Sequence, residues 1–143
     1  KNFFAVMAAI GKKMEPDTGI PWKVMAAQAC LESGYGKHAP NFNLFGIKAQ
    51  EGYKGPKANL WTTEVKNGKK EKVKADFRVY SSIEESMADH AKFLKENPRY
   101  AEAFKTKDPK AFLEAVGKAG YATGEKYVAS AWGVVEKYSS LVG

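Results

Sequence analysis

Residues 60–80 read LWTTEVKNGKKEKVKADFRVY. Apolar and charged residues alternate through the second half of this stretch, and the apolar positions are Val73, Ala75, Phe77 and Val79. An Asn-Gly pair at 67–68 separates two such runs, which is the strongest short-range signal for a β-hairpin with a two-residue turn. With that turn, Glu64 pairs with Glu71 and shares a face with Val73, Ala75 and Phe77, although one bulge would reverse the face.

Helical patterns flank the hairpin on both sides. Ser82 followed by Glu85 forms a capping box, and Asp108-Pro109 is a second N-terminal signal. Between the early helices and the hairpin, residues 40–59 are rich in Gly, Pro and Asn, with one strand-like piece at Leu44–Lys48. The predicted helices are residues 2–14 before a turn at 17–19, 21–32 opened by Pro21, 82–97, a short one at 99–105, 108–119 and 125–141. We therefore expect residues 1–143 to form a single, mostly helical α+β domain.

Composition excludes several classes of function. The single cysteine, Cys30, cannot form an internal disulfide, and with only His38 and His90 beside it we expect no metal site and no cofactor. The longest apolar run, Phe3–Ile10, is far shorter than the roughly 20 residues that cross a bilayer. It resembles a signal-peptide core, but Gly11 and two lysines follow where a cleavage site should be, so we expect the targeting signal to be absent from this chain.

Glu32 is the strongest candidate for catalysis. It continues the apolar helical stripe of Met25 and Ala29, yet it is a carboxylic acid at a helix C-terminus. Partial burial and the negative end of the helix dipole both raise the pKa of such a group, which suits a proton donor near neutral pH. The alternative is a partly exposed Glu32 that pairs with Lys37 or His38.

Cleavage of a glycosidic bond usually needs a second carboxylate across the cleft. Glu64 on the hairpin is the best candidate, with Glu51, Asp76 and Asp89 as others, and each could equally be a solvated surface charge. Aromatic residues in the loops offer flat faces for sugar rings, although most aromatics pack in cores. These residues are Tyr35, Phe42, Phe45, Tyr53 and Trp61.

The net charge of +7 comes mostly from lysine, since Arg78 and Arg99 are the only arginines. Five lysines cluster on the hairpin, at positions 66, 69, 70, 72 and 74. The positive charge favours an anionic partner. With only two arginines, however, the chain can make few of the bidentate hydrogen bonds by which proteins recognise bases, so we expect no nucleic-acid partner. A solubilising hairpin that protects its own edges is the simpler interpretation.

The segments LESGYGK at 31–37 and NLFGIK at 43–48 strongly resemble the glucosaminidase family of bacterial cell-wall hydrolases, glycoside hydrolase family seventy-three. This family includes the hydrolase domain of flagellar rod-assembly proteins, bacterial autolysins and phage lysins. The match continues through Thr63-Glu64, FRVY at 77–80 and AGYAT at 119–123, so it spans nearly the whole chain.

The resemblance implies a lysozyme-like fold with one hairpin lobe over an active-site cleft. It implies hydrolysis of the N-acetylglucosaminyl-β-1,4-N-acetylmuramic acid bond of peptidoglycan, in the periplasm or the cell wall. By resemblance, Glu32 matches the general acid, Glu64 a second carboxylate on a mobile hairpin, and Tyr121 an active-site tyrosine. The expected substrate-binding residues are Asn43, Phe45, Tyr35 and Tyr127. Gly124 stands where relatives often carry Asp, which leaves open whether Tyr121 or Tyr127 is the active-site tyrosine.

Two mechanisms remain open. Glu64 could activate water in an inverting reaction, or the 2-acetamido group of the substrate could attack while Tyr121 steadies it. Other activities also remain. A lytic transglycosylase should carry a Gly-Leu-Met-Gln type segment where Asn-Leu-Phe-Gly stands, and a muramidase would act on the same polymer. A catalytically inactive wall-binding module is the alternative from another class. In each case we expect a monomer without membrane insertion, with glycan strands as partner.

Overall fold

The hairpin is present and slightly longer than the pattern predicted. The computed structural model describes residues 2–121 and 125–141, with antiparallel strands β1 (Lys57–Lys66) and β2 (Lys69–Arg78). Both turn residues have positive φ, 52° at Asn67 and 79° at Gly68, as a type I′ turn requires. Glu64 lies opposite Glu71, so the predicted register is confirmed.

Helices form before and after the hairpin at nearly the predicted places. The first helix continues to Thr18, four residues beyond the predicted end and into the turn expected at residues 17–19, with Pro16 inside its last turn. Its end comes at Gly19, which has φ of 77° and donates to the Glu15 carbonyl at 2.9 Å. The bounds are α1 Asn2–Thr18, α2 Trp22–Ser33, α3 Ile83–Glu96, α4 Pro109–Lys118 and α5 Glu125–Tyr138, with 3₁₀ turns at Pro40–Phe42, Pro98–Lys105 and Ser139–Leu141.

The capping box at the start of α3 is only half formed. Ser82 Oγ accepts a hydrogen bond from the Glu85 amide at 3.1 Å, as predicted. The Glu85 carboxylate, however, bonds the hydroxyl of Ser81 at 2.8 Å and the Ser81 amide at 3.3 Å, one residue earlier than a full box would have. Two serines, Ser81 and Ser82, therefore share the hydrogen bonds with Glu85 at the start of α3.

The strand predicted at Leu44–Lys48 does not form. Gly46 has φ of 61°, which breaks an extended run, and only Lys48 bridges to Phe77. The segment instead ties the base of the hairpin to the helical body, since Arg78 donates to the Ile47 carbonyl at 3.0 Å and Ala49 to Asp76 at 2.8 Å. This loop therefore lies between α2 and the hairpin.

Helix α2 is the centre of the core. Every residue from Val24 to Cys30 is buried, because α1, α4 and α5 all pack around it. A helix that is buried on all sides can be apolar throughout, and Gln28 is the polar exception. The hairpin, in contrast, makes most of its contacts within itself. Among the described helices, none has the length and hydropathy to cross a membrane.

Candidate active site

An open cleft of about 560 Å³ lies between the helical body and the base of the hairpin. Its walls come from the end of α2, the 45–50 loop, the end of β2, α3 and the segment after α4. The lining residues that carry polar or aromatic chemistry include Glu32, Phe45, Lys48, His90, Tyr100 and Tyr121. The structure therefore brings Glu32, Phe45 and Tyr121, three predicted site residues, into one cleft.

Glu32 occupies the last turn of α2. The helix ends immediately afterwards, where Gly34 adopts φ of 58° and the Tyr35 amide donates to the Cys30 carbonyl at 2.8 Å. Burial raises the pKa of Glu32, and interaction with the Tyr127 hydroxyl offsets part of the rise. Among the described residues, no ion pair involves Glu32, so a pairing with Lys37 or His38 is not what the structure shows. Burial at this position therefore favours the protonated form of the Glu32 carboxyl group.

Two tyrosines stand next to Glu32 at different depths. The rings of Tyr121 and Tyr127 are 5.1 Å apart between centroids, and Tyr121 lines the cleft whereas Tyr127 is buried beneath it. Burial and then the nearby charges, including that of Glu32, raise the pKa of both phenols, so both are neutral at physiological pH. Tyr121 therefore presents a neutral side chain to the cleft. Gly124, the departure noted in the sequence, lies outside the described residues.

Glu64 is not on the cleft wall. Its carboxylate forms an ion pair with Lys48, which itself lines the cleft. The hydrogen bond to Lys48 and the charge of Lys48 lower the pKa of Glu64, so this carboxylate is ionised at neutral pH. The two candidate carboxylates thus have pKa values shifted in opposite directions, the pattern expected of an acid and a base.

Asn43 is buried and is not among the residues that line the cleft, so its role in substrate binding stays a prediction. It is only 4% exposed, and its amide donates to the carbonyls of Ile47 at 2.9 Å and Arg78 at 3.0 Å. Its Oδ1 accepts from the Ile47 amide at 3.0 Å. Asn43 therefore shapes the loop and has little left to offer a substrate.

Tyr35 also lies outside the cleft lining, so its role in substrate binding stays a prediction. Its ring packs edge-on against Tyr138 at the end of α5, 5.9 Å between centroids, and it is not part of the cleft lining. The left-handed backbone at Gly34 and Tyr35, with φ of 58° at both, turns the chain there. The aromatic groups that do line the cleft are Phe45, Phe93, Tyr100 and Tyr121.

The other predicted carboxylates have structural partners or stay on the surface. Asp89 accepts from Arg78 at 2.8 Å and from the Tyr80 hydroxyl, while Asp76 accepts from Asn59 at 2.9 Å. Arg78 reaches the cleft and also lies over the Tyr53 ring, 4.4 Å from its centroid. None of Glu51, Asp76 and Asp89 lines the cleft.

The sequence did not point to His90, which lines the cleft, or to its buried partner Gln28. His90 is 1% exposed, stacks on Phe45 with centroids 3.7 Å apart, and shares a hydrogen bond of 2.9 Å with Gln28 Oε1. Burial lowers the pKa of His90 to about 3, so the ring is neutral and its Nε2–H donates to Gln28. The available signal was a histidine on the apolar stripe of Met87, Ala91 and Leu94.

Buried polar atoms gather behind Glu32. Gln28 Nε2, His90 Nδ1 and Tyr127 Oη are buried and have no hydrogen bond of full geometry. Such groups are nearly always satisfied in native proteins. The Tyr127 hydroxyl interacts with both Gln28 and Glu32, so it lies between the buried Gln28 and the Glu32 carboxyl. The described residues contain no cluster of three His, Cys, Asp or Glu side chains suited to a metal ion.

Comparisons with known proteins agree with this arrangement. The family model described as glucosaminidase, mannosyl-glycoprotein endo-beta-N-acetylglucosaminidase, matches residues 8–140. The peptidoglycan hydrolase FlgJ of Escherichia coli K12 is 36% identical over 99% of this chain and 47% of its own length. A probable N-acetylmuramidase of Lactococcus lactis is 35% identical over 96% of this chain and 33% of its own length.

The fold is similar to that of solved structures from the same group of proteins. A solved structure of the C-terminally truncated glycoside hydrolase domain of Salmonella typhimurium FlgJ superposes with a TM-score of 0.81 at 35% identity, covering 98% of this chain and 97% of that one. The chain spans about half the length of the E. coli relative and a third of the Lactococcus one. The family match over residues 8–140, together with the shared fold, shows that this chain belongs to the glucosaminidase family.

Proposed function

We propose that this chain hydrolyses the β-1,4 bond between N-acetylglucosamine and N-acetylmuramic acid in peptidoglycan, cutting within the strand. The observation that carries the proposal is Glu32: a carboxyl group with a raised pKa, in an open cleft lined by aromatic rings. Family membership and the peptidoglycan hydrolases among the relatives supply the substrate class.

In the proposed reaction, Glu32 protonates the oxygen that leaves with the departing sugar. As positive charge builds on the sugar being cleaved, the neutral Tyr121 hydroxyl steadies the reacting centre from the same cleft. Phe45, stacked on the neutral His90, offers a rigid flat surface for a pyranose ring. Protonation of the leaving group by a positioned acid contributes about 10²–10⁴-fold.

Two groups are candidates for the nucleophile that attacks the anomeric carbon. In the first, Glu64 leaves Lys48, the hairpin closes over the strand, and the carboxylate activates a water molecule from the opposite face of the sugar. In the second, the substrate's 2-acetamido oxygen attacks the anomeric carbon as the leaving oxygen departs, and water then opens the resulting oxazolinium ring while Glu64 stays paired with Lys48. The first inverts the anomeric centre and the second retains it, so the anomer released first from a soluble glycan distinguishes them.

Mass spectrometry of digested sacculi identifies which glycosidic bond is cleaved. A glucosaminidase leaves N-acetylglucosamine at the new reducing end, whereas a muramidase leaves muramic acid and a lytic transglycosylase leaves anhydro-muramic acid. Muramidase activity is the second candidate, because one relative carries that name. Sacculi that bind the chain but release no sugar would instead indicate a wall-binding module.

We further propose that residues 1–143 act as one catalytic domain, as a monomer and without a cofactor. Its place of action is the periplasm or the cell wall, where the substrate is, and it needs neither a nucleic acid nor insertion in a membrane. Size-exclusion chromatography with light scattering tests the monomer, and digestion in the presence of EDTA tests whether a metal ion is needed.

A further inference from the structure

The two faces of the hairpin are chemically different. Glu64 faces the cleft side, since it reaches Lys48. Residues directly opposite each other share a face, so the register places Trp61 against Lys74, Thr63 against Lys72 and Val65 against Lys70 on the other side. We define these six residues, which lie towards the turn, as the outer face of the hairpin; nearer the base, the same side of the sheet carries Asp76 and the cleft residue Arg78.

The outer face combines exposed apolar groups with concentrated positive charge. Trp61 is 67% exposed and Val65 is 66% exposed, and all three lysines are exposed. The Lys74 ammonium lies 5.5 Å from the Trp61 ring centroid. Alternate residues on one strand are about 7 Å apart, so the three lysines form a row of regularly spaced cations. None of these six residues is a carboxylate, and the nearest carboxylate on the same side of the sheet, Asp76, accepts a hydrogen bond from Asn59.

A solubilising role accounts for the lysines but not for Trp61. An indole ring left largely in water gains nothing for folding, and aromatic rings of this kind provide contact area in recognition surfaces. The required partner must therefore offer both a flat, partly apolar surface for Trp61 and several negative charges for Lys70, Lys72 and Lys74. Duplex DNA supplies the charge but keeps its bases stacked inside, away from the indole.

We propose that the outer face of the hairpin binds a second strand of peptidoglycan, separate from the strand in the cleft. This rests on the proposed function. A peptidoglycan strand carries pyranose rings, which stack on Trp61, and peptide stems with free carboxylates, which pair with the lysines. Because the polymer is a cross-linked net, an enzyme whose cleft holds one strand always has a neighbouring strand within reach. Binding there keeps the enzyme on the wall between cuts.

The test measures binding to insoluble sacculi in a Glu32→Gln background, which leaves the substrate intact. One variant replaces Lys70, Lys72 and Lys74 with Gln, and a matched control replaces the exposed Lys95, Lys118 and Lys126 with Gln, so that both lose the same charge. We expect the hairpin variant to bind at least tenfold more weakly at low salt, and the control less than twofold. The slope of log affinity against log salt should fall by about 0.7 per lysine removed from a flexible polyanion.

Three further measurements sharpen the result. Sacculi whose carboxylates are converted to methylamides should bind both triple variants equally. Trp61→Ala should weaken binding several-fold without changing the salt slope. In the Glu32 parent, the hairpin variant should cleave a short soluble glycan at the unaltered rate, which also shows that the hairpin still folds.

Equal losses for the two triple variants would overturn the proposal, because net charge alone would then explain binding. Tighter binding to a 20-base-pair DNA duplex than to sacculi at physiological salt would also overturn it, in favour of a nucleic-acid surface. Failure of the proposed function has a different signature: the Glu32 parent would release no sugar from sacculi, whatever the binding data show.

Discussion

The carboxylate of Glu64 forms an ion pair with Lys48, and Lys48 also lines the cleft that contains Glu32. One cation thus links the hairpin carboxylate to the cleft without placing that carboxylate on the cleft wall. The pair lies at the surface, where such interactions contribute little to stability. Its consequence is electrostatic, because Lys48 keeps Glu64 ionised at lower pH than an isolated glutamate.

We predict that Lys48→Met shifts the acidic limb of the pH profile of kcat/KM to higher pH. A base works only when deprotonated, and without Lys48 the pKa of Glu64 returns towards its ordinary value. The control is Lys54→Met, an exposed lysine of the same loop region. If both variants keep the parental acidic limb, Glu64 is not the base and the substrate-assisted mechanism is favoured.

Glu32→Gln should reduce the hydrolysis of peptidoglycan by about 10²–10⁴-fold, since the amide keeps the shape but carries no transferable proton. Turbidity loss of a sacculus suspension measures the rate, with Glu114→Gln on the exposed side of α4 as control. A Glu32→Gln variant that retains more than about a tenth of the parental rate would refute the assignment.

The same substitution should stabilise the fold at alkaline pH. The folded-state pKa of Glu32 is raised, so this group favours the folded state below its unfolded pKa and loses that contribution as pH rises through the folded pKa. Thermal denaturation should therefore show a gain for Glu32→Gln over the parent that is larger at pH 8 than at pH 4. A gain of the same size at both pH values would mean that burial does not set this pKa.

Tyr127→Phe should move the alkaline limb of the activity profile to higher pH. The Tyr127 hydroxyl lowers the pKa of Glu32, so its removal lets burial raise that pKa further, and the acid stays protonated over a wider range. Tyr121→Phe is the informative comparison: we expect it to lower kcat by removing a hydroxyl from the cleft. An alkaline limb unmoved in Tyr127→Phe would show that this tyrosine only packs.

Asn43→Ala should destabilise the protein by about 3 kcal/mol, because it removes three partly buried hydrogen bonds and leaves the Ile47 amide and the Arg78 carbonyl without their Asn43 partner. Urea denaturation measures the change. Asn59→Ala, which removes an exposed hydrogen bond to Asp76, should cost well under about 1 kcal/mol. Equal effects of the two substitutions would contradict the role of Asn43 as the residue that closes the cleft loop.

The sequence alone determined those features of this protein that depend on residues close together in the chain. Asn67-Gly68 and the alternation around it set the hairpin register, and the Ser82 and Asp108 caps set two helix starts. Glu32 could be placed at a helix end because Gly34 follows two residues later. Turn geometry, capping and apolar periodicity all act within a few residues, so a linear pattern carries them.

Tertiary structure alone decided what surrounds Glu32. The Gln28–His90 hydrogen bond joins residues 62 apart in sequence, and the Asn43–Arg78 bond joins residues 35 apart. The packing of α2, α3 and the hairpin determines which of these residues meet. Burial then determines whether a polar side chain lines the cleft, supports a loop or stays uncharged. The burial of Asn43, the packing of Tyr35 against Tyr138 and the place of His90 in the cleft could not be read from the sequence, because desolvation is a property of the packed molecule and not of any local run of residues.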